Sequence, residues 1–448
     1  MHSTKSLKQL SPPNLIHRLF SAAQREFSSD CSREPQQHLN DAALSTPSTP
    51  SSHSISRRQS HEGRSLSDTL VVSVEEQILD ETYEHHSRTF HMVLLDPNYR
   101  VFVSRQGHGS LIYRIAHQTL VVVGDPLCSH DRMRLVLDDL RHFRRPRRLR
   151  LAFMGVSDSF LAYARSQRWT SFRFGCERVV NPLTNDVLDN KAGKRMLSQN
   201  RQLLDPERGG IRLDIYAPGI TGINPPLEKT LHHLYTSWCR TKQERGGRGG
   251  GNNNNTQAFI TAYDIFAQRT KTAFLFAIGP DNNLCGMAML RQLGAEAGFH
   301  IDPCIAATDA PRGTTDLLMI TAMQVLRRAG ISYLSLGAEP CVALAGGRGR
   351  DGKDGKDGKD CKDDSNTCSR SRIRSQWVPL GERLANAAYR RVTDLEKVSG
   401  KKSYNDKFKP DPLLESGLHV VFPRTTLPIQ EALAIMKVAH VRPKHMFS

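Results

Sequence analysis

Gly298-Phe-His-Ile-Asp-Pro-Cys-Ile-Ala-Ala-Thr-Asp-Ala-Pro-Arg-Gly-Thr-Thr-Asp316, followed by a helical stretch and by Leu334-Ser-Leu-Gly-Ala-Glu-Pro340, decides the reading of this chain. The pattern predicts a strand that delivers Asp302 and a tight Pro/Gly turn that delivers Asp309 and Asp316. A helix over about 314–329, ended by Gly330 as its C-cap, and a second strand beside the first complete the unit. Carboxylates at strand ends and turns, rather than on a solvated helix face, mark a candidate site.

Upstream of this unit, Thr272–Ile278, Leu284–Arg291 and Phe299–Ala306 read as a three-stranded meander separated by Gly279-Pro-Asp-Asn and Gly294-Ala-Glu-Ala-Gly. The first half shows a similar order. Four runs, Phe90–Leu95, Arg100–Ser104, Ser110–Ala116 and Thr119–Gly124, precede a basic amphipathic helix (about 130–143) and the strand Leu149–Met154. A helix (about 157–167) and a strand at Ser171–Gly175 follow. Gly124-Asp125-Pro126 and Ile301-Asp302-Pro303 close the two meanders alike. Meander, helix, strand is the order of the fold typified by the GCN5-related acetyltransferases. The expected class is therefore α/β of the α+β type, with two such units in tandem over 71–215 and 216–448, mixed sheets and flanking helices.

With 448 residues the chain has room for both units, and its +17 net charge suits a polyanionic partner or an anionic membrane surface. Nine cysteines without a CxxC pair or zinc spacing read as reduced thiols of an intracellular protein, and no metal site is expected. No apolar run approaches the roughly 18 residues needed to span a bilayer. Residues 1–70 hold sixteen serines, and a disordered tail is expected there. Within it, 11–28 is weakly amphipathic with Arg18 and Arg25, so a mitochondrial presequence is the alternative to a cytoplasmic protein. Gly/Asn-rich 246–255 and the Asp-Gly-Lys stretch within 347–369 are low-complexity insertions, expected as solvated loops rather than phosphate loops.

Several chemistries find no motif. There is no GxSxG elbow, no GxxxxGK[ST], and no GxGxxG in a strand–helix context. The nearest approach to an acetyl-CoA loop, Arg291-Gln-Leu-Gly294-Ala-Glu296, ends on the wrong residue and sits at a hairpin.

An ordered series of motifs resembles the C-terminal domain of the bacterial phosphatidylglycerol lysyltransferases over about 75–440. It comprises Gly124-Asp125-Pro126, Phe174-Gly175-Cys176-Glu177, Lys191-Ala-Gly-Lys194-Arg195 with Asn200-Arg201, and Asp302 with Asp309-Ala-Pro311 and Asp316. Leu336-Gly337 with Pro340 and Tyr404-Asn-Asp-Lys407-Phe408-Lys409-Pro410 complete it. The family transfers an amino acid from aminoacyl-tRNA to a lipid, so the resemblance implies charged tRNA as co-substrate, a lipid acceptor and no cofactor. Two departures matter: Ile305 stands where the family commonly has Arg, and Asn405 replaces the first Lys of the last element. Together with the missing membrane helices, they make the chain resemble the fungal branch that aminoacylates ergosterol. Members of that branch that make the aspartyl ester are fused to a synthetase, for which this chain has no room. The freestanding, glycine-transferring members are the better match, with glycyl-tRNA as donor and the sterol 3β-hydroxyl as acceptor. That reading expects a peripheral association with intracellular membranes and a separate aminoacyl-tRNA synthetase as supplier.

The resemblance implies Asp302, Asp309 and Lys407 as catalytic residues, and Asp316, Asn200, Arg201, Asp125 and Glu177 as substrate-binding ones. Arg144, Arg145, Arg147, Arg148, Lys191, Lys194 and Arg195 are the expected tRNA or membrane contacts. Plainer readings stand beside these. Asp125 and Asp316 fit helix or turn caps, Asp302 a strand end fixed by Pro303, and the Arg-rich run a solvated helix end. Two rival functions remain open at this level: an acyl-CoA-dependent N-acyltransferase, and a non-enzymatic basic module that binds RNA or membrane.

Overall fold

The computed structural model describes residues 14–28, 73–247, 263–340, 398–423 and 429–439. The elements begin with α1 (Asn14–Ser28), α2 (Val74–His86), a 3-10 turn (Thr89–Leu95), β1 (Arg100–Val103), β2 (Ser110–Ala116) and β3 (Thr119–Val123). Next come α3 (Met133–Arg144), β4 (Arg150–Val156), α4 (Asp158–Ser166), β5 (Thr170–Val180), α5 (Lys194–Leu204) and β6 (Arg212–Tyr216). Then follow α6 (Pro218–Thr221), α7 (Pro225–Gly247), β7 (Thr272–Ile278), β8 (Leu284–Leu293), β9 (Gly298–Ala306) and α8 (Thr314–Arg328). The described chain ends with β10 (Leu334–Pro340), α9 (Val398–Asp406), β11 (Ser416–Phe422) and α10 (Ile429–Val438).

The described strands form one eleven-stranded mixed sheet, ordered β1-β2-β3-β4-β11-β5-β10-β9-β8-β7-β6. Each half is a meander, a helix and a returning strand parallel to the meander's last one. β3 lies parallel to β4 across α3, and β9 lies parallel to β10 across α8. The expected class is what the structure shows, with the two sheets fused through the β5–β10 pair. The boundary at 215/216 does not survive as drawn. It cuts β6, which pairs with β7, and β11 from beyond it lies between β4 and β5. α10 likewise packs on the first half, with Ala434, Ile435 and Val438 against Val121, Val123 and Met154. The insertions at 246–255 and 347–369 lie outside the described residues, except Gly246 and Gly247 at the end of α7.

Two further expectations give way. Residues 14–28 are a packed helix, not part of a structureless tail. Leu15, Ile16, Leu19, Phe20, Ala22 and Ala23 are buried in the core cluster that holds α8, and each large side chain contributes about 1.5–3 kcal/mol over exposure. Arg18 donates to the carbonyls of Ala329 and Gly330 just past α8, and Glu26 pairs with Arg328. Composition averaged over seventy positions hid this one helical period. The run Phe90–Leu95 is a 3-10 turn, not a strand. A short apolar run does not distinguish the two, and tertiary bonds decide here: His91 Nε2 lies 2.8 Å from the Asp125 carbonyl, and the Thr89 hydroxyl reaches Glu177 and Ser335.

Candidate active site

β9 and β10 run parallel for only two residue pairs, Leu334 with Phe299 and Ser335 with His300, and then part. Both strands bulge at that point. On β9, Ala288 of the neighbouring strand registers with Cys304 and Leu290 with Ile301, so Asp302 and Pro303 together face Met289. On β10, Ser335 registers with Val179 and Gly337 with Arg178, which leaves Leu336 as the extra residue. A bulge re-aims side chains at the cost of ladder bonds, and two at one height open the sheet. Gly337 has φ +86°, and a β-carbon on it would lie 3.2 Å from His300 Cε1 and 3.3 Å from Lys401 Nζ. Only glycine fits there without displacing both neighbours.

Asp302 stands at this opening. Among the described residues, its carboxylate receives one hydrogen bond, from the Tyr263 hydroxyl, 3.3 Å from Oδ2 and 3.3 Å from the residue's own carbonyl. Burial pushes its pKa up, and the Lys401 cation, the Tyr263 hydroxyl and the Arg291 guanidinium pull it back. Arg291, fully buried, registers with His300 across the β8–β9 ladder and bonds the Tyr83 hydroxyl and the Thr89 carbonyl. His300 Nδ1 lies 3.1 Å from the Ser335 carbonyl, which can only accept, so Nδ1 carries the proton and Nε2 is an acceptor. Burial and Arg291 lower His300 to about 3, which makes it a poor general base near neutrality. Cys304, pushed up to about 12 by burial and by Asp316 and Asp302, is not a thiolate nucleophile.

The rim is built by α8 and α9. Asp316 lies in the first turn of α8, where the helix dipole favours it, and Lys407 Nζ sits 3.3 Å from its carboxylate. Lys407 also lies 5.0 Å from the Tyr404 ring, and Lys401 donates to the Ala338 carbonyl on β10 at 3.1 Å. The Cys304 thiol, two residues from Asp302, reaches the Thr315 carbonyl at 3.6 Å, next to Asp316, which ties the opening to the rim.

The other expected residues fall elsewhere. Asp309 is exposed in the turn before α8 and bears electrostatically on Cys285. Asn200 is buried in α5, its carboxamide without a hydrogen bond among the described residues, while Arg201 is exposed beside it. α5 reaches the start of α8 through Gln199, whose amide donates to the Arg312 carbonyl at 2.7 Å. Lys194 and Arg195 are exposed at the other end of α5, and Lys191 pairs with Asp189 at 3.2 Å. Asp125 is tied into the first half, and Glu177 is buried against Thr89. Arg144, Arg145, Arg147 and Arg148 form a basic edge after α3. Arg147 folds over the Phe143 ring at 4.1 Å, and Arg144 caps the Leu149 carbonyl. That edge leads into β4, four strand spacings from β9, or about 19 Å. Sequence reading missed Tyr263, Lys401 and Arg291. Tyr263 sits just after a low-complexity insertion and has no motif, whereas Arg291, a charge in a strand read as buried, was a signal open to notice.

A fused pair of meander–helix–strand units opened at one parallel pair defines an acyltransferase-like protein. The family model for "Phosphatidylglycerol lysyltransferase, C-terminal" matches residues 77–415, and the chain belongs to that family of aminoacyl-tRNA–lipid transferases. Charged tRNA as co-substrate and a lipid acceptor come with the family. Two solved structures share the fold. L-PGS from Bacillus licheniformis is 19% identical with a TM-score of 0.58, over 82% of this chain and 97% of its own. The C-terminal domain of a protein assigned as a lysylphosphatidylglycerol synthetase from Agrobacterium fabrum is 15% identical with a TM-score of 0.57, over 81% and 94%. No curated protein matches the chain. Among the described residues, no helix is long and apolar enough to cross a membrane, and no cluster of His, Cys, Asp and Glu is suited to a metal ion.

Proposed function

We propose that the chain esterifies the 3β-hydroxyl of ergosterol with glycine delivered by glycyl-tRNA, meeting the sterol at the cytoplasmic surface of an intracellular membrane. The observation that carries this reading is Ile305. Where the family commonly has Arg, this side chain is buried in one apolar cluster with Leu95, Phe274, Met287 and Met289. An apolar side chain at that position withholds the cation that a phosphate headgroup would need, which favours an uncharged acceptor such as a sterol. Asp302, three residues before it, supplies a carboxylate for the ammonium of the amino acid.

The reaction is a transesterification. The sterol oxygen attacks the aminoacyl carbonyl, the bond to the ribose oxygen breaks, and the hydroxyl proton ends on that ribose oxygen. No described side chain is a suitable base: His300 is too weak, Cys304 stays protonated, and Asp302 holds the ammonium. The neighbouring ribose hydroxyl of the terminal adenosine relays the proton. Lys407, supported by Arg201, offsets the terminal phosphates of the acceptor end or the developing oxyanion. The exposed cations of α5 and the edge after α3 offer contacts for tRNA backbone or an anionic bilayer. A separate synthetase supplies the charged tRNA.

The test is transfer by purified protein from glycyl-tRNA to ergosterol in phosphatidylcholine vesicles, read by mass spectrometry of extracted lipid. Ribonuclease is expected to abolish the ester. Undiminished product from free glycine or glycyl-CoA overturns the reading and favours the acyl-CoA-dependent rival. Binding of tRNA or vesicles without any product favours the non-enzymatic one.

A further inference from the structure

Resting on the proposed transfer reaction, we infer that Tyr263, braced by Tyr235 of α7, is the positioning residue that keeps the Asp302 carboxylate ionised and aimed at the ammonium of the aminoacyl donor. The geometry is specific. Tyr263 is the residue whose hydroxyl reaches Asp302, at 3.3 Å from both Oδ2 and the carbonyl, so the phenol spans the bulge that re-aims this side chain. Its backbone amide in turn donates to the Tyr235 hydroxyl at 3.3 Å, and the two rings pack with centroids 5.6 Å apart. Tyr235 is buried on α7 in the apolar cluster that contains Ile305, so the brace is anchored in the core and not in the insertion before it.

A phenol so placed acts on protonation as well as aim. Burial favours the neutral form of Asp302, and the Tyr263 hydroxyl is one of three groups that oppose it, with Lys401 from α9 and Arg291 from β8. Asp316 in the first turn of α8, paired with Lys407, is the further carboxylate at the opening, and the remaining groups whose titration is shifted move away from neutrality. His300 on β9 is lowered to about 3, Cys304 is raised to about 12, and burial raises Tyr263, Tyr235 and Cys239. An acid limb in the pH profile of transfer is assigned to Asp302 if it disappears in Asp302→Asn. Removing the donor stabilises the protonated acid relative to the carboxylate and moves that limb to higher pH.

The experiment measures kcat/KM for a bulk pool of charged tRNA against pH, with ergosterol-containing phosphatidylcholine vesicles as acceptor, for wild type, Tyr263→Phe, Asp302→Asn and the double variant. Tyr263→Phe is expected to move the acid limb up by about one pH unit, so that about tenfold is lost on the acid side of the limb and little on the plateau above it. The double variant is expected to be no worse than Asp302→Asn alone, because the tyrosine acts through the carboxylate. Should Tyr263→Phe not fold, Tyr235→Phe keeps the Tyr263 hydroxyl but frees its backbone and is expected to shift the limb the same way by less. An unmoved limb with a uniform loss, or additive losses in the double variant, overturns the inference while leaving the function standing. Wild-type protein that makes no aminoacyl lipid with any charged tRNA overturns the proposed function, and the inference with it.

Discussion

The two parallel strand pairs of this sheet begin alike and end differently. β3 and β4 stay paired over five residues, from Thr119–Arg150 to Val123–Met154, whereas β9 and β10 separate after two. Each half carries an Asp-Pro at its meander's last strand, Asp125-Pro126 just past β3 and Asp302-Pro303 within β9. In the first half, Asp125 closes the end of its pair: it accepts the Ser157 amide at 2.8 Å and the Ser157 hydroxyl at 2.5 Å, just past β4, with Arg88 at 3.3 Å. In the second half, Asp302 reaches across to no backbone amide among the described residues, and Tyr263 is its one hydrogen-bond donor. The first carboxylate is used up in holding strands together, and the second is left with acceptor capacity for a ligand. A duplicated fold thus carries one sealed end and one open end, and the open end costs stability that the sealed end does not.

The sharpest way to break this comparison is the pair of aspartates, and the largest expected effect is at the open end. Asp302→Asn is expected to lower transfer by 10²-fold or more, roughly 3 kcal/mol of transition-state stabilisation. Its melting temperature should hold or rise at neutral pH, and the sign follows from burial. A carboxyl whose folded pKa is raised contributes stability below its unfolded pKa and loses it as pH rises through the folded value. At neutral pH its ionisation therefore opposes folding, and the amide removes that cost. A lower melting temperature with normal turnover would assign Asp302 to structure instead. Asp125→Ala should do the reverse, costing about 2 kcal/mol of stability through its lost charged hydrogen bonds. Per folded molecule it should leave transfer near normal, as thermal melts and active-site-normalised rates on one preparation would reveal.

Gly337 tests whether the opening itself matters. Gly337→Ala puts a β-carbon against His300 and Lys401 at a positive φ, and about tenfold lower transfer is expected. Gly124, at φ +78° in the first half, faces the His91 ring in the same way. Gly124→Ala is expected to lower the melting temperature and spare turnover. If both glycines give the same phenotype, the halves do not differ as argued.

How much of this was legible beforehand depends on range. The two meander–helix–strand units showed in the sequence because period-2 runs broken by Gly/Pro/Asn turns are local signals, and Asp302 showed because strand, Asp-Pro and turn are contiguous. The interleaving of β11 between β4 and β5 was not legible, since a seven-residue apolar strand states nothing about which edges it joins. Nor was the state of the two aspartates. Ser157 lies 32 residues from Asp125 and Tyr263 lies 39 from Asp302, so only the folded sheet separates a capped carboxylate from an open one.

The smallest expected effect is at Asp309, and it sharpens the comparison by limiting the site to the opening. Asp309 shares the sequence stretch of Asp302 and looks equivalent in one dimension. In the fold it lies exposed on the turn into α8, where it bears on Cys285. An exposed carboxylate is screened by water and salt, so neutralising it changes the field at the opening little. Asp309→Asn is therefore expected to change transfer by less than about threefold, under 1 kcal/mol, with an unmoved melting temperature. Single-turnover transfer alongside Asp302→Asn is the measurement. A loss comparable with that of Asp302→Asn would mean that the turn folds over the aminoacyl end when substrate binds. The opening between β9 and β10 would then be one wall of the site rather than the whole of it.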